Sequence, residues 1–336
     1  MTDTDKYMLN ILKQLIFILL SLSSAAFAAT PTQIRVGVLG FGTVNWELEV
    51  MLRHEFAKKR GVDLVVVPLA SGDASTIALQ GGSVDVIVSD WLWVSRQRAD
   101  ANLFSFVTYS NAVGSIIVDK DSPIKTLADL KGKKIGVSGG PSDKIWLMLR
   151  AHSQRNLGAD LANTALPTFG APPLLNELMQ RHQLDAVLNT WAYTARLEAK
   201  GMQRLIELPD ILAGLGVKGA IPLIGWVFRE DWAAKNKDAL NAFFSASNEA
   251  KQLMLTSDDE WLKLKPKMKA ENDAIFVSLR DKFRVGIPQC GPNPMADITL
   301  TYKVLADIGG EKLVGKATQL SKDTFWPGYQ ALCSRP

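Results

Sequence analysis

Val84-Asp85-Val86-Ile87-Val88-Ser89-Asp90-Trp91-Leu92-Trp93 returns 100 residues later as Leu184-Asp185-Ala186-Val187-Leu188-Asn189-Thr190-Trp191-Ala192-Tyr193. Each stretch is an apolar run of strand length that closes on polar residues and aromatics, the pattern of a buried strand leaving its sheet. The spacing recurs upstream. Ile34-Arg35-Val36-Gly37-Val38-Leu39-Gly40 reads as a strand entering a glycine loop, and Lys134-Ile135-Gly136-Val137-Ser138-Gly139-Gly140 repeats it, with Gly37 and Gly136 99 apart. Val67-Pro68 and Leu166-Pro167 are again 99 apart, and Arg96 and Arg196 continue the series at 100. Three landmarks in one order at one offset describe the repeat of a whole lobe, since solenoid repeats have periods of about 20–50 residues.

Each unit reads strand, loop, helix, strand, helix, strand. That order predicts an α/β protein with two Rossmann-like lobes, mostly parallel sheets and helices on both faces. The helices are expected over Glu47–Lys59, Ala74–Gln80, Lys144–Arg155 and Pro173–Arg181. Ligands of such folds sit outside the carboxyl ends of the strands. Those ends are 40–46, 70–74 and 89–93 in one lobe, and 138–143, 168–172 and 189–193 in the other, so an interdomain cleft is expected between them. The chain is read as crossing twice, near 113–115 and 220–223. The first lobe then comprises 29–112 and 223–336, and the second 113–222. The last third is helical in pattern (238–255, then 258–269 with Trp261 buried), and is expected to pack mainly around the first lobe.

Composition agrees with a folded protein. The 336 residues carry 38 basic and 34 acidic side chains and 47% hydrophobic residues, which excludes a disordered chain, a collagenous one and a disulfide scaffold. A balance of +4 without a Lys/Arg block is no footprint of nucleic-acid binding. Residues 1–28 read as a secretory signal: Lys13, an apolar run to Leu22, then Ala26-Phe27-Ala28 with cleavage after Ala28 and a start at Met1 or Met8. The run is too short for a membrane anchor, which needs about 20 apolar residues. A periplasmic, monomeric protein is therefore expected. In that oxidising compartment Cys290 and Cys333 are expected to bond, two unrelated thiols being the plainer alternative. The two thiols and the three His show no metal-ligand spacing, so no metal and no cofactor are expected.

The stretch from Asp121-Ser122-Pro123-Ile124-Lys125-Thr126-Leu127-Ala128-Asp129-Leu130-Lys131-Gly132-Lys133-Lys134 to Ile135-Gly136-Val137 resembles the segment that opens the second lobe of type II periplasmic substrate-binding proteins of ABC importers. Gln80-Gly81-Gly82-Ser83-Val84-Asp85-Val86 and Val227-Phe228-Arg229-Glu230-Asp231-Trp232 are similar to that family too, in its nitrate, aliphatic-sulfonate, taurine and thiamine-precursor group. The resemblance implies a solute receptor that closes over a small molecule and delivers it to a membrane permease driven by an ATPase. A sulfonate-, nitrate- or taurine-like ligand, anionic or zwitterionic, is the leading expectation. A cationic, heterocyclic or metal ligand is the alternative. A sensor on the same scaffold is a third reading. So is an enzyme like the thiamine-pyrimidine synthases, but the chain lacks their Cys-rich motif and any Ser/His/Asp or Cys/His arrangement at a strand end.

Candidate ligand contacts follow from the strand-end loops. Gly42, Thr43, Asn45 and Trp46 follow the first strand, but Asn45 stands where a dinucleotide fingerprint needs its third glycine and no acidic residue ends the next strand. Ser138, Gly139, Gly140 and Ser142 form the second-lobe counterpart, where helix N–H groups favour an anion although Asp143 opposes one. Ser71 and Asp73 follow the second strand of lobe one, while Asp90, Trp91 and Trp93 face Asn189, Trp191 and Tyr193 in the repeat. At least two of Trp46, Trp91, Trp93, Trp191 and Tyr193 are expected to line the cleft, with Trp91 and Trp191 on opposite sides of the ligand. For the charges Glu47, Asp73, Asp90 and Asp143 the plainer role is helix capping. Arg96, Arg98 and Arg196 are the candidate cations.

Overall fold

The computed structural model describes residues 30–288, 291 and 293–327, so the expected leader and both Cys290 and Cys333 lie outside the described residues. In chain order the first sheet takes β1 (Thr32–Leu39), β2 (Val62–Leu69), β3 (Val86–Ser89) and β4 (Phe104–Ser110). The second takes β5 (Ser115–Val118), β6 (Lys134–Ser138), β7 (Leu166–Gly170), β8 (Ala186–Asn189) and β9 (Gln203–Glu207), and β10 (Ile224–Arg229) returns to the first. The strand orders are β2-β1-β3-β10-β4 and β7-β6-β8-β5-β9. In each sheet one strand, β10 or β5, runs against its neighbours, and the other four share a direction. That odd strand is the one whose chain arrives directly from the other lobe.

The connecting helices are α1 (Val44–Arg53), α2 (Gly72–Gln80) and α3 (Trp91–Ala99) in lobe one. Lobe two has α4 (Lys144–Leu157), α5 (Leu161–Thr164), α6 (Pro172–Gln180), α7 (Trp191–Ala199) and α8 (Leu208–Gly214). α1 starts three residues before the sequence reading and stops at Arg53, because Glu55 turns into the left-handed region at φ 56° and breaks the run. The repeated glycines have a steric cause. A Cβ on Gly37 would sit 2.8 Å from Leu69, and one on Gly136 2.6 Å from Leu184, on the face where α2 and α6 pack. Register corrects one landmark. Gly37 lies beside Val67 but Gly136 lies beside Thr168, so the structural partner of Val67 is Thr168 and the matching prolines are a coincidence of sequence.

Strand alternation distributes the cores. Ile34, Val36 and Val38 of β1 face a core built with α1 and the C-terminal helices, while Ile135 and Val137 of β6 face a second core with Ile116 and Val118. The C-terminal part comprises α9 (Glu230–Lys235), α10 (Lys237–Thr256), α11 (Asp258–Met268), α12 (Asp273–Val285), α13 (Met295–Gly309) and α14 (Glu311–Val314). α10 and α11 pack on α1, and Trp261 is fully buried with its indole N–H donating to the Met254 carbonyl at 2.7 Å. Beyond the packing expected on lobe one, α12 packs on α7 and α13 on α4, both in lobe two. Lys263, Lys265 and Lys267 pair with Glu260, Asp273 and Glu49.

The crossings run through 111–114 and 215–223. At the first, a Cβ on Gly114 would stand 2.0 Å from the carbonyl oxygen of Asn189 at the end of β8. Only a residue without a side chain lets the crossing lie that close to the strand end. Gly114→Ala is therefore expected to destabilise the protein by about 1–3 kcal/mol. Gly40→Ala, with nothing within 4 Å of the added carbon, should stay within about 0.5 kcal/mol of wild type, as surface substitutions usually do. Urea unfolding of both variants checks this, and equal midpoints would show that the backbone yields at Gly114.

Candidate functional site

The two lobes meet through the first turns of four helices, each starting where a strand ends. Trp46 in α1 meets Trp191, the first residue of α7, edge to face at a ring separation of 6.0 Å. On the other side of the seam Lys144, the first residue of α4, reaches Asp90, the N-cap of α3, at 2.9 Å. The strand-end loops of both lobes therefore face one another. The two junctions are related by the repeat: Trp46 corresponds to Trp146, Val44 to Lys144, and Thr190 to Asp90, at 100 residues each. One junction is aromatic and the other is ionic.

The ionic junction is tightly organised. Asp90 Oδ1 accepts the Trp93 amide at 2.7 Å while Oδ2 takes the Lys144 ammonium. Asp143 caps α4, accepting the amides of Ile145 and Trp146 at 3.0 Å each. The side chains of Lys144 and Asp90 are 27% and 16% exposed, so neither charge is fully hydrated. Burial opposes the Lys144 ammonium, but the carboxylates of Asp90 and Asp143 more than offset it and raise its pKa. Burial pushes the Asp143 carboxyl up, against the pull of Lys144 and the two amides. At the corresponding places of the aromatic junction, Thr43 and Thr190 make no side-chain cap.

The structure sorts the candidate residues. Trp91 is 1% exposed, stacks obliquely against Tyr302 and Phe325, and donates its indole N–H to the Pro222 carbonyl at 2.6 Å. Trp191, 8% exposed, packs against Trp46 and Phe283 in the other core. Trp91 and Trp191 thus lie in separate cores, each ring packed against other aromatics, and do not stand on opposite sides of one ligand. Trp46 is buried as well, whereas Trp93 and Tyr193 are half-buried, and burial raises the Tyr193 pKa.

Asn189 is fully buried and spends its amide on the Pro172 carbonyl and Asn176. Asn45 donates to the carbonyls of Leu39 and Gly42, which holds the first loop in shape. Ser138 is buried at the end of β6, and Gly139, at φ +87°, turns the chain there. Ser71 caps α2 through the Ala74 amide and remains exposed, as do Asp73 and Ser142, and Gly42, Thr43 and Gly140 are half-buried.

Glu47 is withdrawn altogether. It is fully buried, with Lys251 at 3.0 Å and the Ser247 hydroxyl at 2.6 Å, beside Tyr109, whose pKa burial drives well above its ordinary value. Arg98 serves Glu230 and the carbonyls of Phe104 and Lys322, and Arg196 those of Met268 and Lys269. Both guanidinium groups are engaged by these partners.

Sequence reasoning missed four residues. Lys144 carried no motif. Trp146 is the repeat partner of Trp46 and was findable from the offset of 100 alone. Phe41, 51% exposed in the loop after β1, and Phe169, 37% exposed at the end of β7, are the aromatics that the strand ends do present. Among the described residues no group of three or more His, Cys, Asp or Glu is placed to hold a metal ion.

Two facing α/β lobes joined by two crossings, with strand ends and helix starts along one seam, define the fold of the periplasmic binding proteins. The chain belongs to the family described as NMT1/THI5 like, whose model matches residues 50–260. A curated protein of Escherichia coli (strain K12), named for binding aliphatic sulfonates, is 31% identical over 217 residues. That match covers 61% of this chain and 64% of the relative, so it spans less than two thirds of the relative's length. The structure is similar to that of the periplasmic aliphatic sulphonate binding protein SsuA from Escherichia coli, with TM-score 0.69, 21% identity and coverage of 88% and 91% of the two chains. It is also similar to the alkanesulfonate-binding protein SsuA from Xanthomonas axonopodis pv. citri bound to MOPS, with TM-score 0.66, 21% identity and coverage of 89% and 99%.

Two outcomes follow from the packing. Trp191→Ala should lose about 3–5 kcal/mol of stability, the usual cost of emptying a buried aromatic site, as read by chemical denaturation. A loss below about 1 kcal/mol, the median for a point mutant, would show that the indole contributes little to the core. Lys251→Met should cost about 3–5 kcal/mol by leaving Glu47 buried and unpaired. Adding Glu47→Leu, the residue that lobe two carries at the corresponding Leu147, should restore most of that loss.

Proposed function

We propose that this protein is the periplasmic solute-binding component of an ABC importer, capturing a small sulfonate-bearing molecule between its lobes and delivering it to a membrane permease and its ATPase. The observation that carries this reading is the seam, where the starts of α1, α3, α4 and α7 converge from both lobes with Lys144 among them. Thr43 and Thr190 leave the starts of α1 and α7 without a side-chain cap, so the positive ends of those helices can face an anion, and Lys144 adds a full charge. The relatives named for sulfonate binding support the same choice of ligand. Contacts are proposed from the exposed or half-buried residues of the strand-end loops: Thr43, Ser71, Asp73, Gly140, Ser142, Trp93 and Tyr193, with Phe41 and Phe169 covering the organic part of the ligand.

No enzymatic step is proposed, since the seam holds no nucleophile–base pair among the described residues. Export with removal of residues 1–28, and a monomeric mature chain, belong to the same proposal. Among the described residues no helix is long and apolar enough to cross a membrane.

Binding should close the lobes as rigid bodies about the crossings. The mature chain with a saturating alkanesulfonate is expected to show a smaller radius of gyration by small-angle scattering. It should also gain about 2.7 kcal/mol of apparent stability at a ligand concentration 100 times Kd. An unfolding midpoint unmoved by sulfonates but raised by nitrate, an amine or a pyrimidine would replace the sulfonate reading with another solute. A midpoint unmoved by every small molecule tried would argue against a receptor.

A further inference from the structure

Both crossings between the lobes are gripped by the C-terminal helices. At the first, the carbonyl oxygen of Gly286, just past α12, accepts the Asn111 amide at 2.8 Å and the Ser110 hydroxyl at 3.2 Å. A Cβ on Gly286 would stand 2.4 Å from that of Ala112, so a residue with a side chain could not bring α12 to its end so near the crossing. At the second, Asp297 in the first turn of α13 accepts the Lys218 amide on Oδ1 at 3.1 Å and the Gly219 amide on Oδ2 at 2.9 Å. A Cβ on Gly219 would meet that Oδ2 at 2.7 Å.

Asp297 has an uncommon task for its position. An acidic side chain in a first turn ordinarily serves the amides or the dipole of its own helix. Asp297 turns both oxygens to a connecting segment 78 and 79 residues earlier in the chain. The same helices also hold both lobes. α12 is anchored in lobe one by Phe283 against Trp261, at a ring separation of 5.2 Å, and by Arg284 donating to the Met254 carbonyl at 2.9 Å. Its other side packs on α7 of lobe two, where the Ser278 hydroxyl donates to the Ala195 carbonyl at 3.1 Å. α13 packs on α4 of lobe two, and the chain beyond it returns to lobe one. There the Phe106 amide donates to the Thr324 carbonyl at 2.9 Å and the Trp326 amide to the Phe106 carbonyl at 2.8 Å. The lobes cannot swing apart about the crossings without shearing some of these contacts.

We propose that α12 and α13 form a strap across the back of the two crossings that limits how far the lobes open, with Asp297 as the positioning residue that fastens it to the second crossing. The strap sets the resting angle of the ligand-free protein and holds whatever solute the seam takes, so it goes beyond the functional reading and does not depend on it.

Hydrogen exchange and small-angle scattering on the ligand-free mature chain test this. Asp297→Ala should speed exchange of the Lys218 and Gly219 amides by about tenfold or more, because each loses a hydrogen bond to a charged group. It should also enlarge the radius of gyration. Gly219→Ala, which displaces the carboxylate from the other side, should enlarge the radius likewise. The double variant should open no further than either single one, since residues in contact are not additive. Asp297→Asn keeps one oxygen for an amide and should fall between wild type and Asp297→Ala. A purely structural role would instead speed exchange equally throughout β1 and β6 and leave the radius as in wild type, which would overturn the strap. Unchanged exchange at Lys218 and Gly219 would overturn it too, as would a radius unmoved in both single variants. Failure of the protein to bind any sulfonate would leave it standing.

Discussion

One constraint shapes the rest of the molecule: each sheet is completed by a strand delivered from the other lobe. β10 enters the first sheet between β3 and β4, and β5 enters the second between β8 and β9, both running against their neighbours. The second sheet begins only once the chain has crossed, and the first is complete only when it has returned. The lobes are therefore tied at two adjacent places, beside the strand ends where α3 and α7 begin. Trp91 hydrogen-bonds to the second crossing at Pro222, and Gly114 of the first lies against Asn189 at the base of α7. Helix starts that bear on the crossings are well placed to couple events in the seam to the angle between the lobes.

The near-symmetry that the crossings impose makes its departures informative. Lobe one has a buried carboxylate, Glu47, neutralised by Lys251 of α10, where lobe two has Leu147. The difference follows from what covers each helix: α1 lies under α10, which supplies Lys251 and Ser247, whereas α4 lies under α13, where Ile298, Tyr302 and Leu305 are buried. In the same way one junction between lobes is a ring-on-ring contact and the other an ion pair. The aromatic contact is insensitive to salt and strengthens with dehydration, while a partly exposed ion pair can be exchanged for a ligand's charges at modest cost. One side of the seam is thereby suited to hold the lobes together and the other to be opened.

Much of this was legible along the chain. The 100-residue offset located β3 and β8, α3 and α7, and the loops after them, because apolar strands and the small turns that end them are local patterns. Gly37 and Gly136 stood out for a steric reason that the structure supplies. Among the aromatics, orientation separated the buried Trp46, Trp91 and Trp191 from the half-buried Trp93 and Tyr193. Trp91 and Trp191 sit at strand ends as expected, but a residue's position along a helix says only which way its side chain leaves the axis, and the element waiting there is tertiary information. The exposed rings, Phe41 and Phe169, have no distinguishing local signal.

By itself, then, the amino-acid sequence determined the two repeated α/β units, the order of their elements and the loops that meet at the seam, since periodicity, turn residues and the spacing of like segments act over a few residues at a time. Only the tertiary structure decided which helix covers which lobe, which tryptophans become core, and that Asp90 and Lys144 meet. Those two residues are 54 apart in the chain and belong to different lobes. Their pairing depends on how two rigid bodies sit about a pair of crossings, and no local pattern encodes an angle between bodies.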